Sequence, residues 1–228
     1  MSEDRTKDSA FQVIIDVRDQ VGVAPLGLMA NQVWHDDPRR LSFMLARYKF
    51  VAKMLSGRAR VLEVGCGDAF GARIVRQEVD HLTAVDYDEM MIEDARKRAV
   101  ERWAMDLLVH DIVSGPVAGE FDAVYGLDFF EHIPPELNDR VVGNVKQSLT
   151  AEGALIFGIP SLESQKYASA PSREGHVNCR SGEDFRRYMR RHFHNVFMFS
   201  MNDEVVHTGF FPMAHYLLAL CCGPVRQS

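Results

Sequence analysis

Residues 61–71 read VLEVGCGDAFG: an apolar run from Val61 to Val64, then glycines at 65, 67 and 71 around Cys66, Asp68, Ala69 and Phe70. Two glycines one residue apart let the backbone turn sharply and approach a ligand closely, and a helix starting behind them points its free N–H groups the same way. The stretch therefore reads as strand, ligand loop and helix. A dinucleotide fingerprint needs glycines at relative positions 1, 3 and 6, and counting from Gly65 the sixth place is Phe70. A phenylalanine where helix and strand must pack closely argues against NAD. An acid does follow at about the expected 20 residues, because Asp86 closes a second strand-like run in LTAVDYD, placed to accept from ribose hydroxyls. The ligand expected is one with a free ribose.

The pattern continues on both sides. Asp37 followed by Pro38 reads as an N-cap and first helical position, and Leu41, Met44, Leu45, Tyr48 and Leu55 recur at helical spacing. Strands are expected at 61–64, 82–85, 107–109, 123–125 and 154–159, with helices around 71–78, 89–102 and 135–149. Such alternation implies a parallel sheet with right-handed crossovers. Ser181, with Asp184 at the capping-box position, starts a further helix, and 196–200 and 205–211 read as a closing antiparallel pair. The fold expected is α/β: a Rossmann-like, doubly wound, mostly parallel seven-stranded sheet with an antiparallel last hairpin strand and N-terminal helices over the ligand site. One domain fills 1–228, divided into a helical cap (1–57), a core (58–160), a lid loop (161–180) and a C-terminal helix with closing strands (181–228).

Whole-chain properties narrow the function. At 228 residues and 46% hydrophobic composition the chain can bury a single proper core. A formal net charge of −6 carries no footprint for nucleic acid. Cys66, Cys179, Cys221 and Cys222 lack paired CxxC spacing, so neither a metal centre nor a disulfide framework is expected. The polar start MSEDRTKDSA is unlike a secretory signal, and the apolar run YLLALCC at 216–222 is far short of the ~20 residues that span a bilayer, so the expectation is a cytoplasmic protein without membrane insertion.

At this point the chain resembles the class I S-adenosylmethionine-dependent methyltransferases over roughly residues 45–200. LEVGCGDAFG resembles the glycine-rich first motif, with Ala69 where a third glycine is usual; AVDYDEMM resembles the second; VHDI resembles the adenine-reading segment; FDAVYGLDFFEHIPP and LTAEGALIFGIPS resemble the fourth- and fifth-strand motifs. The resemblance implies S-adenosyl-L-methionine as cofactor and assigns roles. Glu63, Gly65, Cys66 and Gly67 line its methionine part, Cys66 as a small filler. Asp86 holds the ribose diol, Tyr87 and Met91 cover the adenine, Asp111 accepts from its amine, Ile112 offers a backbone N–H, and Leu127 presents a carbonyl to the amino group. Arg47 stands where some relatives place an arginine for the carboxylate.

Methyl transfer from a sulfonium is an in-line displacement in which charge disappears, so a base is needed only where the nucleophile must lose a proton. Two histidines fall near the expected methyl: His132 in FFEHIPP and His176 in PSREGHVNC. The Glu131-His132 pair looks like one shared by relatives with different acceptors, which suggests support of the cofactor loop. His176 lies in the 160–180 connection with Tyr167, Arg173 and Glu174, either as the acceptor's base or as an anchor of the lid, with Tyr167 and Arg173 as acceptor contacts. Arg186, Arg187, Arg190 and Arg191 share a helical face, read as solvated. No amide-aromatic grip follows the fourth strand, so a small hydroxylated acceptor is expected; the leading segment WHDDPRRLSFMLARYKFVAKML resembles bacterial members associated with surface-polysaccharide or sugar modification, which implies a sugar or polysaccharide precursor first, with a quinone-like hydroxyl second. Outside catalysis, the competing reading is a cofactor-binding module without transferase activity.

Overall fold

A computed structural model describes residues 4–226; the first three residues of the polar start and the last two of the chain lie outside the described residues. The core is one eight-stranded sheet: β1 (Arg60–Val64), β2 (His81–Asp86), β3 (Asp106–Val109), β4 (Phe121–Leu127), β5 (Leu149–Pro160), β6 (Phe193–Asn202), β7 (Val205–His207) and β8 (Tyr216–Pro224), in the order β3-β2-β1-β4-β5-β8-β6-β7. The first five are parallel, and β8 joins antiparallel to both β5 and β6.

Among the described residues there are eight α-helices: α1 (Gln12–Val21), α2 (Leu28–Asp36), α3 (Pro38–Met54), α4 (Ala72–Arg76), α5 (Glu89–Lys97), α6 (Asn138–Ser148), α7 (Ala170–Gly175) and α8 (Gly182–Met189). Because strand side chains alternate, each central strand feeds both faces. Val61, Tyr125 and Ile156 meet Tyr48 and Val51 of α3, Val75 of α4 and Ile92 of α5. Leu62, Val124 and Phe157 meet Val141 and Val142 of α6 and Phe185 and Met189 of α8. Two apolar layers thus grip one sheet. Asp37 caps α3 by accepting from Arg39 N, and Ser181 caps α8 by accepting from Asp184 N, as the sequence pattern requires.

Three details differ from the sequence expectation. The run at 216–222 is a strand, β8, inserted between β5 and β6, so the sheet has eight strands and not seven. An apolar stretch with no period reads equally as tail or as two-faced central strand, and only packing decides. The 205–211 strand stops at His207, where Gly209 N donates to the His207 ring at 2.9 Å and the chain turns away before the turn Phe211–Met213. The 160–180 connection is also structured, with a 3-10 turn at Leu162–Tyr167 and then α7. No helix among the described residues is long and apolar enough to cross a membrane.

Strand order reverses between β1 and β4, which makes their C-terminal ends the switch point where ligands bind in open α/β sheets. The 65–71 loop follows β1 and the segment from Asp128 follows β4. Both candidate halves of the site therefore converge there.

Candidate functional site

The loop after β1 is held from three sides. Gly65 and Gly67 both adopt left-handed backbone, φ +70° and +52°, which costs most residues but not glycine. A Cβ at Gly65 would lie 2.5 Å from Cβ of Phe129, and one at Gly67 would collide with Met29 of α2. Asp86 accepts from Gly67 N at 2.8 Å and from Asp88 N at 3.0 Å, tying the loop to the end of β2. His110 N in turn donates to Asp86 O, joining the ends of β2 and β3.

Asp68 was not singled out from the sequence, and it organises the cap. Its Oδ1 accepts from Phe70 N at 3.0 Å, and its Oδ2 accepts from Ala30 N in the first turn of α2 at 2.9 Å. Asp94 accepts from Leu28 N at 3.2 Å. Gly27 gives α2 no side-chain cap of its own, so two carboxylates from elsewhere in the chain satisfy N–H groups at the positive end of its dipole. This docks α2, and Met29 with it, over the glycine loop. A carboxylate capping a helix about 40 residues away has no local sequence signature.

Glu63 is displaced from its expected place. Its carboxylate is buried beneath the loop and accepts from Tyr48 Oη and Tyr125 Oη, both at 2.8 Å, instead of facing the ligand side. β1 alternation points it inward, toward the layer where both phenols lie. Burial pushes its carboxyl up to about 8 against the lowering effect of the two phenols. Cys66 is buried and its thiol pKa is driven upward by desolvation, so it fills space.

The residues expected to meet adenine sit around the ends of β2 and β3. Tyr87 is exposed and Met91 half-buried. Asp111 is exposed and closes its own turn by accepting from Val113 N at 2.8 Å; Ile112 is buried, with its carbonyl accepting from Asn144 Nδ2 at 2.7 Å.

Beyond β4 the chain turns through Asp128, a non-glycine residue at φ +54°. Its carboxylate pairs with Arg47 of α3, Nη1 to Oδ1 at 2.7 Å, and Arg47 stacks over Tyr216 of β8 at 3.8 Å. In this arrangement Arg47 is bound to Asp128, across from the role expected for it. Leu127 is buried at the end of β4. Next along the chain, Glu131 is buried while His132 is exposed.

The segment after α7 folds back onto this turn. Asn178 N donates to Glu131 O at 2.9 Å, Asn178 Nδ2 donates to Phe130 O at 3.0 Å, and Asn178 and Asn138 exchange hydrogen bonds between their amides. His176 is thereby brought to His132, ring centroids 5.1 Å apart, although the sequence had given the two separate roles. Desolvation and the neighbouring His132 lower the His176 pKa. Tyr167 is exposed near the rim with Lys166 over its ring, and the Arg173 guanidinium donates to Ala168 O, fixing it against its own segment.

Comparison with known proteins follows this geometry. A family model described as a methyltransferase domain matches residues 61–153. Among curated proteins, carboxy-S-adenosyl-L-methionine synthase of Campylobacter curvus is 26% identical over 143 residues, 61% of each chain. Ubiquinone biosynthesis O-methyltransferase of Xanthomonas axonopodis pv. citri is 30% identical over 113 residues, 46% of this chain and 47% of the relative. The matches thus span about half to three-fifths of those relatives' lengths. Among solved structures, the N-methyltransferase NodS from Bradyrhizobium japonicum in complex with S-adenosyl-l-homocysteine superposes with TM-score 0.61 at 19% identity, covering 96% of this chain and 100% of that one, which shows the shared fold.

A methyltransferase-domain model thus covers residues 61–153, and the chain shares the fold of a solved methyltransferase. The family's cofactor is S-adenosyl-L-methionine, and the buried Asp86 carboxylate at the end of β2 is an acceptor of the kind its ribose needs; the space a Cβ on Gly65 or Gly67 would take is filled by Phe129 and Met29.

Proposed function

We propose that this protein transfers a methyl group from S-adenosyl-L-methionine to a hydroxyl of a small acceptor, a sugar or polysaccharide precursor in preference to an aromatic hydroxyl. The cofactor supplies an electrophilic methyl on a sulfonium. In this reading the 65–67 loop holds its methionine part, and Asp86 accepts from the ribose diol while keeping the loop's Gly67 N–H. Tyr87, Met91, Asp111 and Ile112 frame the adenine, Leu127 offers its carbonyl, and Arg47 together with Asp128 forms the floor between cofactor and acceptor.

The observation that carries the reading is the His132 and His176 pair, held next to Asp128 at the end of β4 by the Asn178 clasp. A half-buried imidazole with a lowered pKa is neutral at pH 7 and can take up a hydroxyl proton. Both histidines are assigned to the acceptor side, with Tyr167 and Arg173 at its rim. The preference for a polyhydroxylated acceptor rests on the polar groups near the histidines: the Arg47–Asp128 ion pair after β4, and the exposed Tyr167 with Lys166 over its ring. The aromatic alternative is supported by the relative whose name gives ubiquinone biosynthesis.

Incubation of the protein with isotopically labelled cofactor and acceptor fractions, read by mass spectrometry, tests the reading. Label in a methyl ether of a sugar is the expected result. Label on an aromatic hydroxyl transfers the assignment to the second acceptor class, and cofactor binding without product from any fraction would leave a binding module.

A further inference from the structure

Glu131 is the one feature of the acceptor side that hydroxyl activation by a histidine leaves without a use. It is 1% exposed, and neither carboxylate oxygen has a hydrogen-bond partner among the described residues. An unpartnered buried carboxylate costs several kcal/mol unless something compensates it. Arg47 is near enough to act on it electrostatically, but its guanidinium hydrogen-bonds to Asp128.

The two imidazoles beside it are oriented for ligation. His132 Nδ1 lies 2.9 Å from Gly175 O, and a carbonyl can only accept, so Nδ1 carries the proton and Nε2 a lone pair. His176 Nδ1 lies 2.9 Å from Gln165 Oε1, which fixes the same tautomer. A ring N–H given to a carbonyl is the outer-shell arrangement that orients metal-binding histidines and raises their basicity. One ligand atom from each of Glu131, His132 and His176 lies within 4.8 Å of the others.

We infer that Glu131, His132 and His176 form a binding site for one divalent transition-metal ion, with coordination positions left open toward the acceptor. Two imidazoles and one carboxylate on one side of an ion suit zinc, manganese or iron(II) and leave room for an oxygen ligand from outside. This reverses the sequence expectation of no metal centre: cysteine spacing was the signal searched, and the ligands come from two segments that the fold brings together through the Asn178 clasp and the His132–Gly175 hydrogen bond. The site deepens the proposed hydroxyl acceptor and in that respect rests on it. An acceptor hydroxyl on the ion loses its proton more readily: the O–H bond breaks, the electron pair stays on oxygen facing the cation, and the proton leaves to water. The histidines then act as ligands.

The test uses metal alone, so that it is independent of turnover. Metal-stripped full-length protein is titrated calorimetrically with Zn²⁺ and with Mn²⁺, and with Co²⁺ followed by visible absorption. One equivalent bound per chain is expected, with Co²⁺ d–d bands of a mixed nitrogen and oxygen site. Glu131→Gln and His176→Ala should each weaken binding at least about 100-fold, and Gln165→Ala, which removes the partner of His176 Nδ1 along with the amide's bonds to Ser161 O and Ser164 Oγ, about 10–100-fold. Thermal melts and S-adenosylhomocysteine affinity serve as folding controls for each variant. Absence of a stoichiometric site in the wild type, or equal affinity in a folded His132→Ala/His176→Ala double variant, overturns the inference. A site that binds metal in a protein that methylates no hydroxyl would confirm the metal and discard the acceptor reading.

Discussion

Replacing Glu63 by glutamine should make the protein more stable at neutral pH and flatten its pH dependence. The carboxyl titrates near 4.5 when unfolded and is pushed up to about 8 in the fold, with burial the main cause. The folded state therefore holds a proton that the unfolded state has lost between those values. Stability from this group is complete below about pH 4.5 and is lost as pH rises through 8. At 1.36 kcal/mol per pH unit, the loss between pH 4.5 and 7 amounts to roughly 3 kcal/mol. Glutamine keeps the shape, accepts from one of Tyr48 and Tyr125, and lets the other hydroxyl rotate to accept from its amide. Some of the gain is returned by imperfect pairing, which leaves about 2 kcal/mol of net stabilisation at pH 7. Urea unfolding of both proteins from pH 5 to pH 9 measures it. The two curves should meet near pH 5 and diverge upward, with Glu63→Gln the more stable. Parallel curves, or a variant destabilised at pH 8, would show that Glu63 is ionised in the fold and refute the reasoning.

Asp86→Ala should weaken binding of S-adenosylhomocysteine by about 1–3 kcal/mol in calorimetry, the cost of removing charge-assisted hydrogen bonds, and NAD should bind neither protein; unchanged affinity in a folded variant removes Asp86 from the site. Asp68→Ala strands Ala30 N and Phe70 N and should cost about 1–2 kcal/mol in urea unfolding while raising protease sensitivity within residues 22–36; an unaltered cleavage pattern would mean that α2 docks without this cap. His132→Ala and His176→Ala should each lower kcat by about 10²–10⁴-fold with cofactor affinity unchanged, and a variant that keeps full turnover takes its histidine out of the acceptor side.

How much of this could be seen beforehand depends on whether the signal was local. The glycine loop, the strand preceding it, Asp86 at the next strand's end and the caps at Asp37 and Ser181 are each fixed by residues a few positions apart, through backbone conformation, side-chain period and short-range hydrogen bonds. The sequence alone therefore carried the parallel core, the cofactor class and the position of the loop. It could not carry the path of 216–224, whose unbroken apolar run has no period to orient it and becomes a central strand only because β5 and β6 leave a slot between them.

The arrangement beyond β4 was decided by tertiary structure: the sequence named His132 and His176 in separate roles, and the fold brings their rings together. Glu63 and Glu131 look alike in sequence as acids beside strands, yet one is enclosed by two phenols and the other is buried facing two histidines without a partner. Asp68 and Asp94 cap a helix far away in the chain, and Asn178 clasps the turn after β4 from 40 positions beyond Asn138. Such contacts depend on where sheet and helices place segments distant in the chain. A one-dimensional pattern fixes the side-chain direction along each element, while the partner that satisfies a buried charge is chosen only when the layers close.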